Sequence, residues 1–172
     1  MSPKPASFSR IGLGCVTFGR EIDEDASFAL LDHALERGIT HFDTAAAYGG
    51  GASETILGKW LASRKPADIT VATKILPPYE RMDITDSLRR LGVDHIDLLY
   101  LHQWHDTALK AADALEKLPV KRFGASNVTL DQLRALGPRF SVIQNNHNLA
   151  VRDVTEALRD YCASNNIAIV TY

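Results

Sequence analysis

Ile96-Asp97-Leu98-Leu99-Tyr100-Leu101 is nearly continuous apolar sequence, interrupted by one carboxylate. A short run of this kind marks a strand covered on both faces, as inside a parallel sheet. Further short β-rich runs lie on either side of it, at 10–15, 40–43, 69–73, 120–124, 141–144 and 167–171. Helical patterns separate them. Phe28, Leu31 and Leu35 share one helix face, and Gly38 follows where a left-handed C-terminal residue is cheap only for glycine. Ser53 is read as the N-cap of a helix packing through Ile56, Leu57, Trp60 and Leu61. Leu88 and Leu91 precede Gly92, a second stop signal. Residues 108–118 form a short fourth helix. Thr129-Leu130-Asp131-Gln132 reads as a capping box, with Leu130, Leu133 and Leu136 as the buried face. Asp153 with Glu156 opens a last helix carrying Val154, Leu158 and Tyr161.

Seven strands alternating with helices define an α/β fold on a parallel sheet. A doubly wound open sheet and a barrel both satisfy the alternation. No GxGxxG follows the first strand, since Gly12-Leu13-Gly14 does not fill that spacing, which weakens the dinucleotide-fold alternative. The 172 residues are 45% hydrophobic and 23% charged with net charge -2, enough for one domain, 1–172, with its own core. That balance provides no basic footprint for nucleic acid and no polybasic membrane patch. No run approaches transmembrane length, and the polar start Met1-Ser2-Pro3-Lys4-Pro5 leads into no signal core. Cys15 and Cys162 form no ligand cluster, so no metal site is expected. Reduced thiols in a cytoplasmic protein are the expectation.

Four reactive side chains fall at or just beyond strand C-termini. Asp43 ends the second strand, Tyr48 follows five residues later, Lys74 closes the third strand and His102 the fourth. In a parallel barrel the C-terminal strand ends form one face, where catalytic groups from several strands converge. Singly, each has an ordinary explanation: a solvated lysine, a hydrogen-bonded structural histidine, a turn-capping aspartate, a loop tyrosine. Their occurrence in order, each at the same edge of its strand, favours a common site.

The stretch from Phe42-Asp43-Thr44-Ala45 through Tyr48-Gly49 to Ser53-Glu54-Thr55-Ile56-Leu57-Gly58 resembles the signature region of the aldo-keto reductases. Thr73-Lys74 and Leu101-His102 match that family's remaining catalytic positions, and residues 12–19 its first-strand motif. Gly124-Ala125-Ser126-Asn127 and Gln144-Asn145 resemble its nicotinamide-binding strands. The resemblance runs from about Arg10 to Tyr172 and implies a (β/α)8 barrel of TIM type. It also implies an NADP(H)-dependent oxidoreductase that reduces aldehydes or ketones by hydride transfer. Tyr48 is then the general acid, and Lys74 the ammonium that favours its phenolate. Asp43 is the anchor of Lys74, and His102 polarises the carbonyl. Asp43, Ser126, Asn127 and Gln144 are the implied cofactor contacts; an amide side chain offers both the donor and the acceptor that a carboxamide needs. Tyr172 is implied to stack on the nicotinamide ring. Trp104 either lines the substrate pocket or is an ordinary loop or core aromatic.

About seven β/α units are present here, and strand eight with its helix is absent from the sequence. Strands one and seven are therefore expected to keep unpaired edges, which invite self-association. Phosphate cradles in barrels are often built after strands seven and eight, so weak cofactor binding and little turnover are expected of this chain alone. The other readings are a catalytically weak or inactive cofactor-binding or regulatory barrel, and a fragment completed by a partner chain.

Overall fold

The doubly covered run at the centre of the sequence becomes a strand in the middle of the sheet. The computed structural model describes residues 8–79 and 82–172. Its strands are β1 (Gly12–Gly14), β2 (His41–Asp43), β3 (Thr70–Ile75), β4 (Leu98–Leu101), β5 (Phe123–Ser126), β6 (Phe140–Asn145) and β7 (Ala168–Thr171). They form one sheet in the order β1-β2-β3-β4-β5-β6-β7, every adjacent pair parallel. The helices are α1 (Glu24–Glu36), α2 (Ala52–Arg64), α3 (Thr85–Leu91), α4 (Ala112–Leu115), α5 (Leu130–Leu136) and α6 (Glu156–Ser164). Sequential parallel order is the barrel topology and rules out the doubly wound alternative, whose strand order reverses. The sheet curls but stays open, since β1 and β7 each pair on one side only.

Two apolar layers flank the sheet. The outer one joins Phe42, Val71, Leu99, Leu101 and Ile143 to helix residues such as Leu31, Leu57, Trp60, Leu91 and Leu158. The inner one is smaller: Ala72, Leu98, Tyr100 and Val142, with Phe8, Ala168 and Val170 against them. Leu98 and Leu99 are thus buried on opposite faces, which is why β4 has no polar side.

The boundaries differ from the sequence reading in instructive places. β5 is Phe123–Ser126 rather than 120–124. Val120 makes only an isolated bridge to Ile96. The β-branched Val120 favours an early start, whereas Gly124-Ala125-Ser126 has little intrinsic strand preference and pairs with Val142, Ile143 and Gln144 of β6 all the same. Gly124 is small for a packing reason: a Cβ there would lie 2.5 Å from the Tyr100 ring. β3 extends through Ile75, so Lys74 lies inside the strand rather than closing it. Ser53 is not an N-cap. Gly51 occupies that position, and Ser53 is buried inside α2, donating to the Cys15 carbonyl at 2.7 Å and accepting from Thr44 at 2.7 Å. Thr155, not Asp153, caps α6. The expected fourth helix is a 3-10 turn, Asp106–Lys110, followed by the four-residue α4. The capping box at Thr129 and Gln132 and the left-handed stop at Gly92 form as read.

α2 crosses α3 closely at Gly58. A Cβ there would sit 2.2 Å from the Arg90 carbonyl oxygen and 2.8 Å from Leu91 Cα. Both obstacles are backbone, so the helices must separate. Gly58→Ala is expected to destabilise the chain by about 1–3 kcal/mol, despite its better helix propensity. A urea midpoint unchanged or raised by this substitution would refute the close crossing.

Candidate active site

Adjacent parallel strands in register bring distant residues to one end of the sheet. Asp43 ends β2 and pairs with Ala72. Lys74 is level with Tyr100 of β4, and Ser126 with Gln144 of β6. Side chains two apart on a strand share a face, so Ala72 and Lys74 both point into the curl.

Lys74 is 2% exposed and Asp43 13%. The ammonium donates to Asp43 Oδ2 at 2.6 Å, to the Thr44 carbonyl at 2.8 Å and to the Tyr48 hydroxyl at 3.3 Å. Three acceptors satisfy the three N–H bonds of an ammonium. The Tyr48 ring also lies under the charge, with Nζ 4.8 Å from its centroid. Tyr48 rides on a turn, Tyr48–Gly51, in which Gly49, Gly50 and Gly51 all have positive φ (57°, 63° and 95°). Only glycine takes three such steps in succession without strain. The turn is braced from outside. The Glu54 carboxylate, fully buried, accepts from Thr73 Oγ1 at 2.6 Å and from Arg90 Nε at 2.7 Å. The Arg90 guanidinium in turn occupies the space a Gly51 Cβ would need. In the sequence Glu54 is legible only as part of a motif; its ties to β3 and α3 leave no local signal.

His102 follows β4, its ring edge-on to Tyr48 at 5.9 Å and 77°. Its Nδ1 is buried without a partner among the described residues. Burial, then the Lys74 ammonium, hold His102 below the usual histidine range, with Asp43 opposing. His41, two residues before Asp43 on the same face, is lowered by burial first and Lys74 last, again against Asp43. Both imidazoles are therefore favoured neutral. For a base whose folded-state pKa is depressed, stability is fully present above the unfolded value, 6.5. It is lost as pH falls from that value through the lower folded-state one, because the unfolded chain takes up protons first. The urea midpoint is expected to drop as pH goes from 7.5 to 5.5. In His41→Asn, part of that slope should vanish; an unaltered slope would show that His41 does not contribute to it.

Ser126 and Gln144 are almost fully buried, whereas Asn127 and Tyr172 are exposed. Ser126 Oγ donates to the Gln144 carbonyl at 3.0 Å, Asn127 Nδ2 donates to Ser126 Oγ at 3.0 Å, and the Tyr172 hydroxyl donates to Asn127 Oδ1 at 2.6 Å. Asp43, Tyr48, Lys74, His102, Ser126, Asn127, Gln144 and Tyr172 together line a cavity of about 330 Å3, with Gly14 and Val16 at its rim. The eight catalytic and cofactor-binding candidates from the sequence thus meet in one place. Trp104 is not among the lining residues; it packs on the outer core. Cys15 and Cys162 are buried and unpaired, and burial raises both thiols, Cys162 to about 11. No His, Cys, Asp or Glu cluster able to hold a metal occurs among the described residues. No helix among them is long and apolar enough to cross a membrane.

Parallel strands in sequential order, with Lys74, Asp43, Tyr48 and His102 gathered at their C-terminal ends, form a barrel-type site. The chain belongs to the aldo/keto reductase family, whose model matches residues 10–172. It is 32% identical to the aldo-keto reductase YhdN of Bacillus subtilis, over 95% of this chain and 57% of that protein. It is 30% identical to probable aldo-keto reductase 1 of Glycine max, over 95% of this chain and 55% of that protein. Among solved structures, an aldo-keto reductase from Klebsiella pneumoniae in complex with NADPH superposes with a TM-score of 0.88 at 26% identity, covering 100% of this chain and 68% of that one. The glycerol dehydrogenase of Gluconobacter oxydans superposes with a TM-score of 0.82 at 29% identity, covering 96% and 59%. The chain therefore spans a little over half the length of the curated relatives it matches.

Proposed function

We propose that this chain carries the catalytic centre and nicotinamide seat of an NADP(H)-dependent reductase of aldehyde or ketone carbonyls, within a single domain, 1–172. The observation that carries the reading is the lysine bonded at once to Asp43 and to the Tyr48 hydroxyl. A phenol is a poor proton donor at neutral pH without help. A buried ammonium beside it stabilises the phenolate left when the proton goes to the substrate oxygen. Asp43 holds Lys74 in place through its 2.6 Å hydrogen bond. A neutral His102 donates a hydrogen bond to that oxygen and orients it, without competing as the acid.

The cavity's donors and acceptors suit a nicotinamide. Ser126, Asn127 and Gln144 offer hydroxyl and amide groups for its carboxamide, and the Tyr172 ring offers a flat face. Asp43 Oδ1, buried without a partner among the described residues, is an acceptor still to be met and suits a ribose hydroxyl. When bound, the cofactor supplies the hydride. NADP(H) is the choice supported by the Klebsiella relative solved with NADPH.

A second reading, a barrel completed by another chain or by self-association, has its own support. A groove of about 400 Å3 lies between the open edges, lined by residues 8–12, His41 and 169–171. Titrating the 172-residue chain with NADPH, followed by quenching of intrinsic fluorescence, tests the main reading. Saturable but weak binding is expected, because only the nicotinamide end has partners among these residues. A submicromolar Kd would refute the expected weakness, and no quenching at millimolar NADPH would refute the cofactor reading itself.

A further inference from the structure

The three hydrogen bonds that join β5, β6 and β7 run in one direction. The Gln144 carbonyl can only accept, so the Ser126 hydroxyl proton goes to it. Ser126 Oγ must then accept from Asn127, which makes the Asn127 atom facing it the amide nitrogen. That nitrogen also points at the His102 carbonyl, at 3.4 Å. The Asn127 oxygen is consequently turned to the Tyr172 hydroxyl, 2.6 Å away, and the phenol must donate. Ser126 from one side and Tyr172 from the other therefore fix which end of the Asn127 amide looks into the cavity. Asn127 sits at a left-handed turn (φ 56°) just past β5 and is exposed, so among the described residues its amide is held by these hydrogen bonds rather than by burial.

We infer that the Tyr172 hydroxyl, apart from its ring, is a specificity-determining group. It holds Asn127 with the nitrogen committed to protein acceptors and one oxygen lone pair left over. At Asn127 the cradle then presents an acceptor, which favours a pyridine ring whose 3-substituent carries an N–H donor. A carboxamide has one, and a methyl ketone of nearly the same shape has none. This inference rests on the cofactor reading above.

The test compares NADPH with its 3-acetylpyridine analogue by fluorescence titration, for the wild-type chain and for Tyr172→Phe. The phenylalanine keeps the aromatic face, and the site is 57% exposed, so the fold tolerates it. Wild type is expected to prefer NADPH. In Tyr172→Phe the affinity for NADPH should fall about fivefold, the worth of one neutral hydrogen bond, while that for the analogue changes by less than about twofold. Equal losses for both ligands would assign Tyr172 a stacking or structural role only and overturn the inference. So would two unchanged affinities. If wild type binds neither ligand, the cofactor reading falls and this inference with it. If wild type binds both with no preference, the cofactor reading stands and this inference alone fails.

Discussion

Asp43→Ala is expected to lower the unfolding free energy by about 3–5 kcal/mol, the cost of leaving a buried charge without its partner. Lys74 is 2% exposed and its ammonium lies 2.6 Å from the Asp43 carboxylate. Removing the carboxylate leaves the ammonium with a carbonyl and a hydroxyl, both neutral. Either hydrogen bond alone is too weak to offset desolvation of a cation. Lys74→Met should cost a similar amount, by stranding Asp43 instead. The double variant Asp43→Leu/Lys74→Met is expected to regain most of either loss, because a buried pair contributes little net stability against well-packed apolar residues. Urea unfolding of the four chains at one pH decides it. Single-variant losses below about 1 kcal/mol would mean that the pair behaves like an exposed one, reached by water from the open side of the curl.

That expectation could be framed from sequence in part. Asp43 and Lys74 share a strand edge in the sequence pattern, which favours a common site, but their pairing comes from the family resemblance; nothing in their spacing, 31 residues apart, requires contact. What periodicity does reveal is alternation. The apolar run around Leu98 and Leu99 shows a strand with no polar side, and seven such runs show a parallel sheet. It does not separate a barrel from an open doubly wound sheet, because both bury their strands on two faces. Strand order separates them, and strand order is a long-range property. Local boundaries failed where tertiary packing overrode propensity. Ala125 and Ser126 belong to a strand because they pair with Ile143 and Gln144 of β6. Ser53 looks like a cap but is drawn into the core by Thr44 and the Cys15 carbonyl. Glu54 was legible as a motif residue, not as the buried hub linking Thr73 to Arg90. The direction of the Ser126, Asn127 and Tyr172 hydrogen bonds could not be read at all, since it depends on which atom faces which.

The largest functional effect is expected at Tyr48. Tyr48→Phe should reduce turnover of an activated aromatic aldehyde by about 10²–10⁴-fold, the usual worth of a positioned general acid. The ring remains, so its edge contact with His102 at 5.9 Å and its place over Lys74 are kept. What is lost is one oxygen, the atom 3.3 Å from the ammonium. NADPH affinity should therefore stay within about twofold of wild type while kcat collapses, the pattern of an interaction made only in the transition state. The contrast with His102 makes the assignment decidable. His102 also reaches the cavity, and burial with the Lys74 charge keeps it neutral. If the imidazole were the acid, it would have to be protonated beside a buried ammonium, which burial and the Lys74 charge both oppose. Activity in Tyr48→Phe above about a tenth of wild type, together with a collapse in His102→Ala, would reverse the roles. Collapse in Tyr48→Phe with substrate binding weakened in His102→Ala fits a phenol that gives the proton and a neutral imidazole that holds the oxygen receiving it.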